Sequence, residues 1–168
     1  SYDPPWPLPK VFRLKKKGAV DKAIFEGDTI NTPSMLCVED YLDALAWAES
    51  IGLEGLFRRS QANLKVVEDW VAGRDWIDFL AEDRAVRSST SVCLKVVSEK
   101  FRAMGEKERG DFIKAVASRL SKEGAAHDVS AYRDAPPGFR FWCGPTIEPG
   151  DVKQALEALE KVYLQTIR

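Results

Sequence analysis

The chain has 168 residues, of which 45% are hydrophobic and 30% are charged, so it has the composition of a globular protein and the length to bury a core. Its 25 basic and 26 acidic residues leave a net charge of −1, which argues against a nucleic-acid or membrane-surface partner and requires any anion site to be local. No apolar run approaches the length of a membrane span, so we expect no membrane partner.

The first nine residues contain four prolines, which exclude helix and regular sheet and predict an extended arm. Trp6 and Leu8 are the side chains of this arm that are able to dock on another surface, and a floppy tail is the alternative. The basic run at 13–17 is typical of a solvated turn before Gly18, because it lacks the interleaved aromatic residues of a nucleic-acid patch.

Thr32 and Pro33 predict the start of a helix, with Thr32 as N-cap and Pro33 at the first helical position. A helix start also attracts anions such as phosphate, and Asn31 and Thr32 are placed to help bind one. Capping by Thr32 is a sufficient alternative explanation of the pair. Apolar residues then recur at spacings of three and four up to Gly52, and we expect this stripe to be core. Its members are Val38, Tyr41, Leu42, Leu45, Ala48 and Ile51.

The next predicted elements are a helix at 53–73, a strand at 77–80, a β-rich run at 90–97 and a helix at 106–124. Trp70 and Trp76 are expected in the core, and the two strands are expected to pair as a hairpin-like edge. A strand start near His127, a strand at 139–142 and a helix beginning at Glu148 complete the order. Helices on one side of a small, mainly antiparallel sheet predict an α+β fold.

The stretch at 131–143 places two arginines on either side of a rigid turn, Pro136-Pro137-Gly138. In the following strand, the period of two puts Phe139 on one face and Arg140 on the other. A guanidinium on a strand is well placed to bind a carboxylate through two hydrogen bonds, so Arg133 and Arg140 together predict a ligand with two anionic ends. The alternative is that both arginines are solvated or pair with nearby acids such as Asp134.

Other chemistry is not indicated by the sequence, which has no P-loop, dinucleotide fingerprint, zinc-type Cys/His spacing or Ser-His-Asp arrangement. We predict no metal site, and a general-base role for His127, the single histidine, is disfavoured because it has no evident nucleophile or metal partner. Cys37, Cys93 and Cys143 are odd in number and lie in apolar runs, which favours reduced thiols in the core and a cytoplasmic location.

The run Tyr-Arg-Asp-Ala-Pro-Pro-Gly-Phe-Arg-Phe-Trp-Cys-Gly at 132–144, together with Ile-Asn-Thr-Pro-Ser-Met at 30–35, closely resembles the C-terminal part of phosphoserine aminotransferases. These are pyridoxal-phosphate-dependent transaminases of fold type I. The resemblance implies that residues 1–32 form an interdomain arm and a loop for the cofactor phosphate. Residues 33–168 would then be the small C-terminal domain. It also implies a homodimer that transfers an amino group from glutamate to 3-phosphohydroxypyruvate in serine biosynthesis.

By this resemblance, Arg140 binds the substrate α-carboxylate, and Arg133 binds the distal phosphate or carboxylate. Tyr132 stands where a better-known branch of the family has histidine, and its hydroxyl is able to donate to phosphate. Asn31 and Thr32 would reach the cofactor phosphate of the partner subunit. The lysine that forms the Schiff base would lie in a large N-terminal domain before Ser1, so we expect no catalytic residue in the chain and no activity from the chain alone.

Two alternatives stay open from the sequence. One is a stand-alone α+β module that uses the same two arginines to bind a dicarboxylate or a phosphorylated amino acid. The other is a structural dimerisation domain whose arginines lie on the surface.

Overall fold

The computed structural model describes residues 5–7, 9, 12–132 and 134–167. It divides into two compact units, Ser1–Ser50 and Ile51–Arg168. The predicted boundary after residue 32 distinguishes the arm and the cofactor-phosphate loop from the small domain by their function, and it stays a prediction. Of the two predicted docking residues in the arm, Trp6 is exposed, whereas Leu8 lies outside the described residues.

A small antiparallel ribbon lies in the described part of the first unit. Strands β1 (Lys15–Lys16) and β2 (Ala19–Val20) pair across a tight turn whose two residues, Lys17 and Gly18, both have positive φ. The basic run is therefore an exposed turn, as its composition predicts. A single 3-10 turn at Lys22–Phe25 follows and is capped by the Asp21 carboxylate, which accepts a hydrogen bond from the Ala23 amide at 3.3 Å.

Helix α1 spans Met35–Ile51 and departs from the prediction in two ways. It begins after Ser34, whose carbonyl accepts from the Val38 amide at 3.1 Å, so Thr32 is not its N-cap. No residue of α1 is buried in the described structure, so the expected core stripe is wrong for this chain: Tyr41 is 65% exposed and Leu42 51%. The periodicity identifies a helix face that can pack against another surface, but it does not identify that surface.

The second unit is built on a three-stranded sheet of order β3-β4-β5, with both pairs antiparallel. The strands are β3 (Ile77–Phe79), β4 (Ser91–Val96) and β5 (Gly138–Trp142). The pairing of β3 with β4 confirms the predicted hairpin-like edge. The strand expected near His127 is reduced to a single bridge between Ser130 and Phe139.

The described residues of the second unit form four α-helices. One face of the sheet is buried, and the other is partly exposed. The helices are α2 (Leu53–Ala72), α3 (Glu99–Ala103), α4 (Glu106–Lys122) and α5 (Pro149–Thr166). Because α2 and α4 contact the sheet and both pack on α5, the helices form one layer, as predicted for the α+β fold. The short helix α3 was not predicted. None of the helices in the described ranges is long and apolar enough to cross a membrane.

Aromatic contacts organise the core between α2, the sheet and α5. Trp70 and Trp76 are buried, as predicted, and meet edge to face with ring centroids 5.8 Å apart. Trp76 also stacks on Tyr163 at 3.7 Å. Burial raises the pKa of Tyr163, whose hydroxyl donates to the Ser98 hydroxyl at 2.7 Å and so ties α5 to the N-cap of α3. Among the cysteines, Cys143 is buried but Cys37 is exposed, which contradicts its expected place in the core.

Replacement of a core leucine of α5 tests this packing. Leu156 is fully buried, so Leu156→Ala leaves a cavity and is expected to lower the free energy of unfolding by about 2–5 kcal/mol. Leu164→Ala in the same helix is the matched control, because Leu164 is 55% exposed and should cost no more than about 0.5 kcal/mol. Urea denaturation followed by circular dichroism measures both values, and equal costs would contradict the assigned inward face of α5.

Candidate functional site

Strand β5 fixes the position of the candidate site. Phe139 and Phe141 are 1% and 5% exposed and point into the core, so Arg140 and Trp142 lie on the opposite face, as the alternation predicts. At the start of the strand, Gly138 lies so close to the Leu94 carbonyl that a Cβ atom would collide with backbone. Glycine is therefore required where β5 begins its pairing with β4.

The Arg140 side chain is held from two sides. Its Nη2 donates to Asp128 Oδ2 at 2.8 Å, and its Cζ lies 4.6 Å from the centre of the Tyr132 ring, within cation–π range. The side chain is only 24% exposed, so the guanidinium is partly desolvated and its interactions with anions are stronger than on an open surface. Neither Nε nor Nη1 has a hydrogen-bond partner among the described residues.

A concavity of about 500 Å³ opens beside this guanidinium. Its polar lining includes Ser91, His127, Asp128, Arg140 and Asp151, and its apolar lining includes Ala125, Val129, Phe141, Ile147, Val152 and Ala155. A mostly apolar hollow with a few converging polar groups is the usual form of a small-molecule site. A smaller hollow of about 160 Å³ lies near Cys93, Tyr132 and Pro136, and Arg140 lines both.

The other predicted site residues fall in three places. Tyr132 is 72% exposed, with its ring against Arg140. Arg133 lies outside the described residues, so the second guanidinium stays a prediction. Asn31 and Thr32 lie in the first unit, before α1. Both are exposed, and their side chains have no hydrogen-bond partner in the described part of the chain.

Sequence reasoning missed Asp128, which the structure brings to Arg140. The residue has φ of 52°, a left-handed conformation that Asp adopts more readily than most residues. Residues 129–131 lie antiparallel to β5, with the Arg140 amide donating to the Val129 carbonyl at 2.8 Å, and this pairing of distant segments brings Asp128 to Arg140. The neighbouring His127 lines the same concavity, and its Nδ1 is 2.9 Å from the Ser121 hydroxyl. No group of three or more metal-ligating side chains occurs within the described residues.

Asn63 of α2 holds the turn that follows β5. It is fully buried, and its Nδ2 lies 3.1–3.2 Å from the carbonyl oxygens of Cys143, Gly144 and Ile147. Arg59, one turn earlier, donates to the Pro145 carbonyl at 2.7 Å and to Glu148 at 2.5 Å. Helix α2 therefore fixes the path by which the chain passes from β5 to α5. Burial in this turn also raises the pKa of the Cys143 thiol to about 12.

Asn63→Ala is expected to lower the free energy of unfolding by about 1–3 kcal/mol, because three carbonyl oxygens lose their common donor in a buried turn. Asn63→Asp should also destabilise the protein, since it keeps the shape but removes the donor. Gln61→Ala on the exposed side of the same helix is the control and should change the value by no more than about 0.5 kcal/mol. Thermal or urea unfolding measures the three variants; an unchanged stability for Asn63→Ala would show that the turn does not depend on it.

The chain matches no model of a protein family. It is similar to curated proteins named phosphoserine aminotransferase. It is 50% identical to that of Methanosarcina barkeri over 164 residues, and 51% identical to that of Methanosarcina mazei over the same length. Each alignment covers 97% of this chain but 42% of the relative, so the chain spans less than half the length of the proteins it matches. The predicted resemblance is confirmed, and the covered share is that expected of a C-terminal part.

Proposed function

We propose that this chain is the C-terminal part of a phosphoserine aminotransferase, which transfers the amino group of glutamate to 3-phosphohydroxypyruvate to form phosphoserine for serine biosynthesis. The sequence identity of about 50% over nearly the whole chain supports the family. The observation that carries the role of this part is the placement of Arg140 on β5, partly desolvated, at the edge of a concavity.

Arg140 is the proposed binding residue for the substrate α-carboxylate. The planar guanidinium offers parallel N–H groups that match the two oxygens of a carboxylate, and a strand with buried neighbours holds it in place. Nε and Nη1 have no described partner, and each forms a parallel N–H pair with Nη2, the atom that contacts Asp128. Binding of the α-carboxylate orients the reacting carbon of the substrate. Orientation of the reactants is one of the main ways in which an enzyme accelerates a reaction.

The distal anion of the substrate is proposed to meet Arg133 and Tyr132. The Tyr132 hydroxyl, on a side chain that is 72% exposed, is able to donate to a phosphate oxygen. The substrate phosphate and the glutamate side-chain carboxylate would use the same position in turn. A pair of cations at a fixed separation would then favour ligands with two anionic groups over those with one.

Pyridoxal phosphate, when bound, supplies the electron sink that allows an amino group to pass between the two substrates. Asn31 and Thr32 are the proposed contacts for its phosphate, in the partner subunit of a homodimer. Their free side-chain donors fit this role, and the first amides of α1 begin only a few residues later. The lysine that bonds covalently to the cofactor is proposed to belong to the large N-terminal domain of the same protein.

The large domain and a second copy of the protein are the proposed partners of this chain. Six large apolar side chains of α1 are exposed: Met35, Leu36, Tyr41, Leu42, Leu45 and Trp47. A helix with this much exposed apolar surface is expected to be covered by another part of the assembly. The proposed location is the cytoplasm, where the three cysteines remain reduced.

Arg140→Ala in the protein that carries this chain is expected to lower kcat/KM for phosphoserine formation by about 10- to 100-fold, because a hydrogen-bonded charge contributes about 1.5–3 kcal/mol. Arg140→Lys should restore little, since an ammonium group cannot make the two parallel hydrogen bonds. Arg102→Ala, on the exposed surface of α3, is the control. A coupled assay of glutamate-dependent phosphoserine formation measures all three, and a change below threefold for Arg140→Ala would refute the assigned role.

Asn31→Ala and Thr32→Ala are each expected to raise the dissociation constant of pyridoxal phosphate by about fivefold, since each removes one hydrogen bond worth about 1 kcal/mol. Fluorescence titration of the apoprotein with the cofactor gives this constant without an activity assay. Thr29→Ala, an exposed threonine three residues earlier, is the matched control. If the Thr29 and Thr32 variants bound the cofactor equally well, the phosphate contact would lie elsewhere.

A further inference from the structure

The contact between Asp128 and Arg140 is weakly anchored on the carboxylate side. It consists of one hydrogen bond of 2.8 Å between Nη2 and Oδ2, and the Asp128 side chain is 85% exposed. The same residue has positive φ, a conformation that is costly for most side chains. A carboxylate so exposed, and held by one bond, is free to move away from the guanidinium.

The ion pair is not the sole restraint on Arg140. The buried neighbours Phe139 and Phe141 fix the backbone of β5, and the Tyr132 ring packs against the guanidinium. Although Arg140 is partly desolvated, the Asp128 carboxylate is 85% exposed, so water screens the pair and Asp128 adds no more than about 1 kcal/mol to stability. It does place a negative charge where an anionic ligand would bind.

The neighbouring polar groups of the concavity are engaged elsewhere. The Asp151 carboxylate accepts from the Glu148 amide at the start of α5, and the Nδ1 atom of His127 lies at 2.9 Å from the Ser121 hydroxyl. Among the described residues, Asp128 is therefore the carboxylate in contact with Arg140.

We propose that Asp128 is an internal competitor for Arg140: its carboxylate occupies part of the guanidinium in the ligand-free protein, and the carboxylate of the ligand displaces it on binding. This inference rests on the proposed role of Arg140 as the carboxylate site. The exchange breaks one hydrogen-bonded contact and forms another, so no covalent change is involved. Its consequence is a weaker affinity and a faster release of carboxylate ligands than Arg140 alone would give.

Two variants remove the competing charge without disturbing the turn. Asparagine adopts positive φ as readily as aspartate does, so Asp128→Asn keeps the backbone conformation. Asp128→Gly removes the side chain and relieves the conformational cost. Asp111→Asn is the control, because Asp111 is an exposed carboxylate of α4 that does not line the concavity and has no described contact with Arg140.

The test is titration of each variant with glutarate, a dicarboxylate that has no amino or keto group and so cannot react. Asp128→Asn and Asp128→Gly are expected to lower the dissociation constant by about two- to fivefold, the range that corresponds to an exposed ion pair. Asp111→Asn should leave it within 1.5-fold, roughly the smallest effect measured for an exposed pair, and Arg140→Ala should raise it by about 10- to 100-fold.

An unchanged or higher dissociation constant in both Asp128 variants would overturn the proposal, as would an unchanged constant in Arg140→Ala or equal effects at Asp128 and Asp111. The dissociation constants for glutarate are measured without turnover. If the protein failed to form phosphoserine, the proposed function would be wrong while the comparison of glutarate affinities would still decide the role of Asp128.

Discussion

The register of β5 against β4 is the constraint on which the candidate site depends. Phe139 and Phe141 pair with Leu94 and Val92 and fill the core, so the residue between them must face the other way. A slip of one residue would bury the guanidinium of Arg140 without a partner and expose two phenyl rings, and both changes are costly. The site thus takes its position from hydrophobic packing on the opposite side of the sheet.

The surroundings of Arg140 combine fixed and exposed parts. Asn63 and Arg59 of α2 hold the turn after β5, and that turn leads directly into α5. On the other side, Asp128 and Tyr132 are mostly exposed although both contact the guanidinium. A cation held by its strand, with neighbours that are mostly exposed, suits the proposed binding and release of small anions.

The first unit differs in kind from the second. The second unit buries its own core, whereas the described part of α1 exposes apolar residues along its whole length. The relatives are more than twice as long as the aligned segment, which covers 42% of their length. The proposed large domain and second subunit account for both observations, because a helix that is apolar on most sides is stable only when another surface covers it.

The sequence by itself determined what depends on neighbouring residues: the end of α1 at Gly52, the inward and outward faces of β5, the start of α5 at Pro149 and the α+β order. These follow from local backbone preferences and from periods of 3.6 and 2. Only the tertiary structure decided that Asn63 reaches carbonyls 80–84 residues away, that Asp128 returns to Arg140, and that the stripe of α1 stays exposed. Such contacts depend on how distant segments meet in space, and no local pattern encodes that meeting.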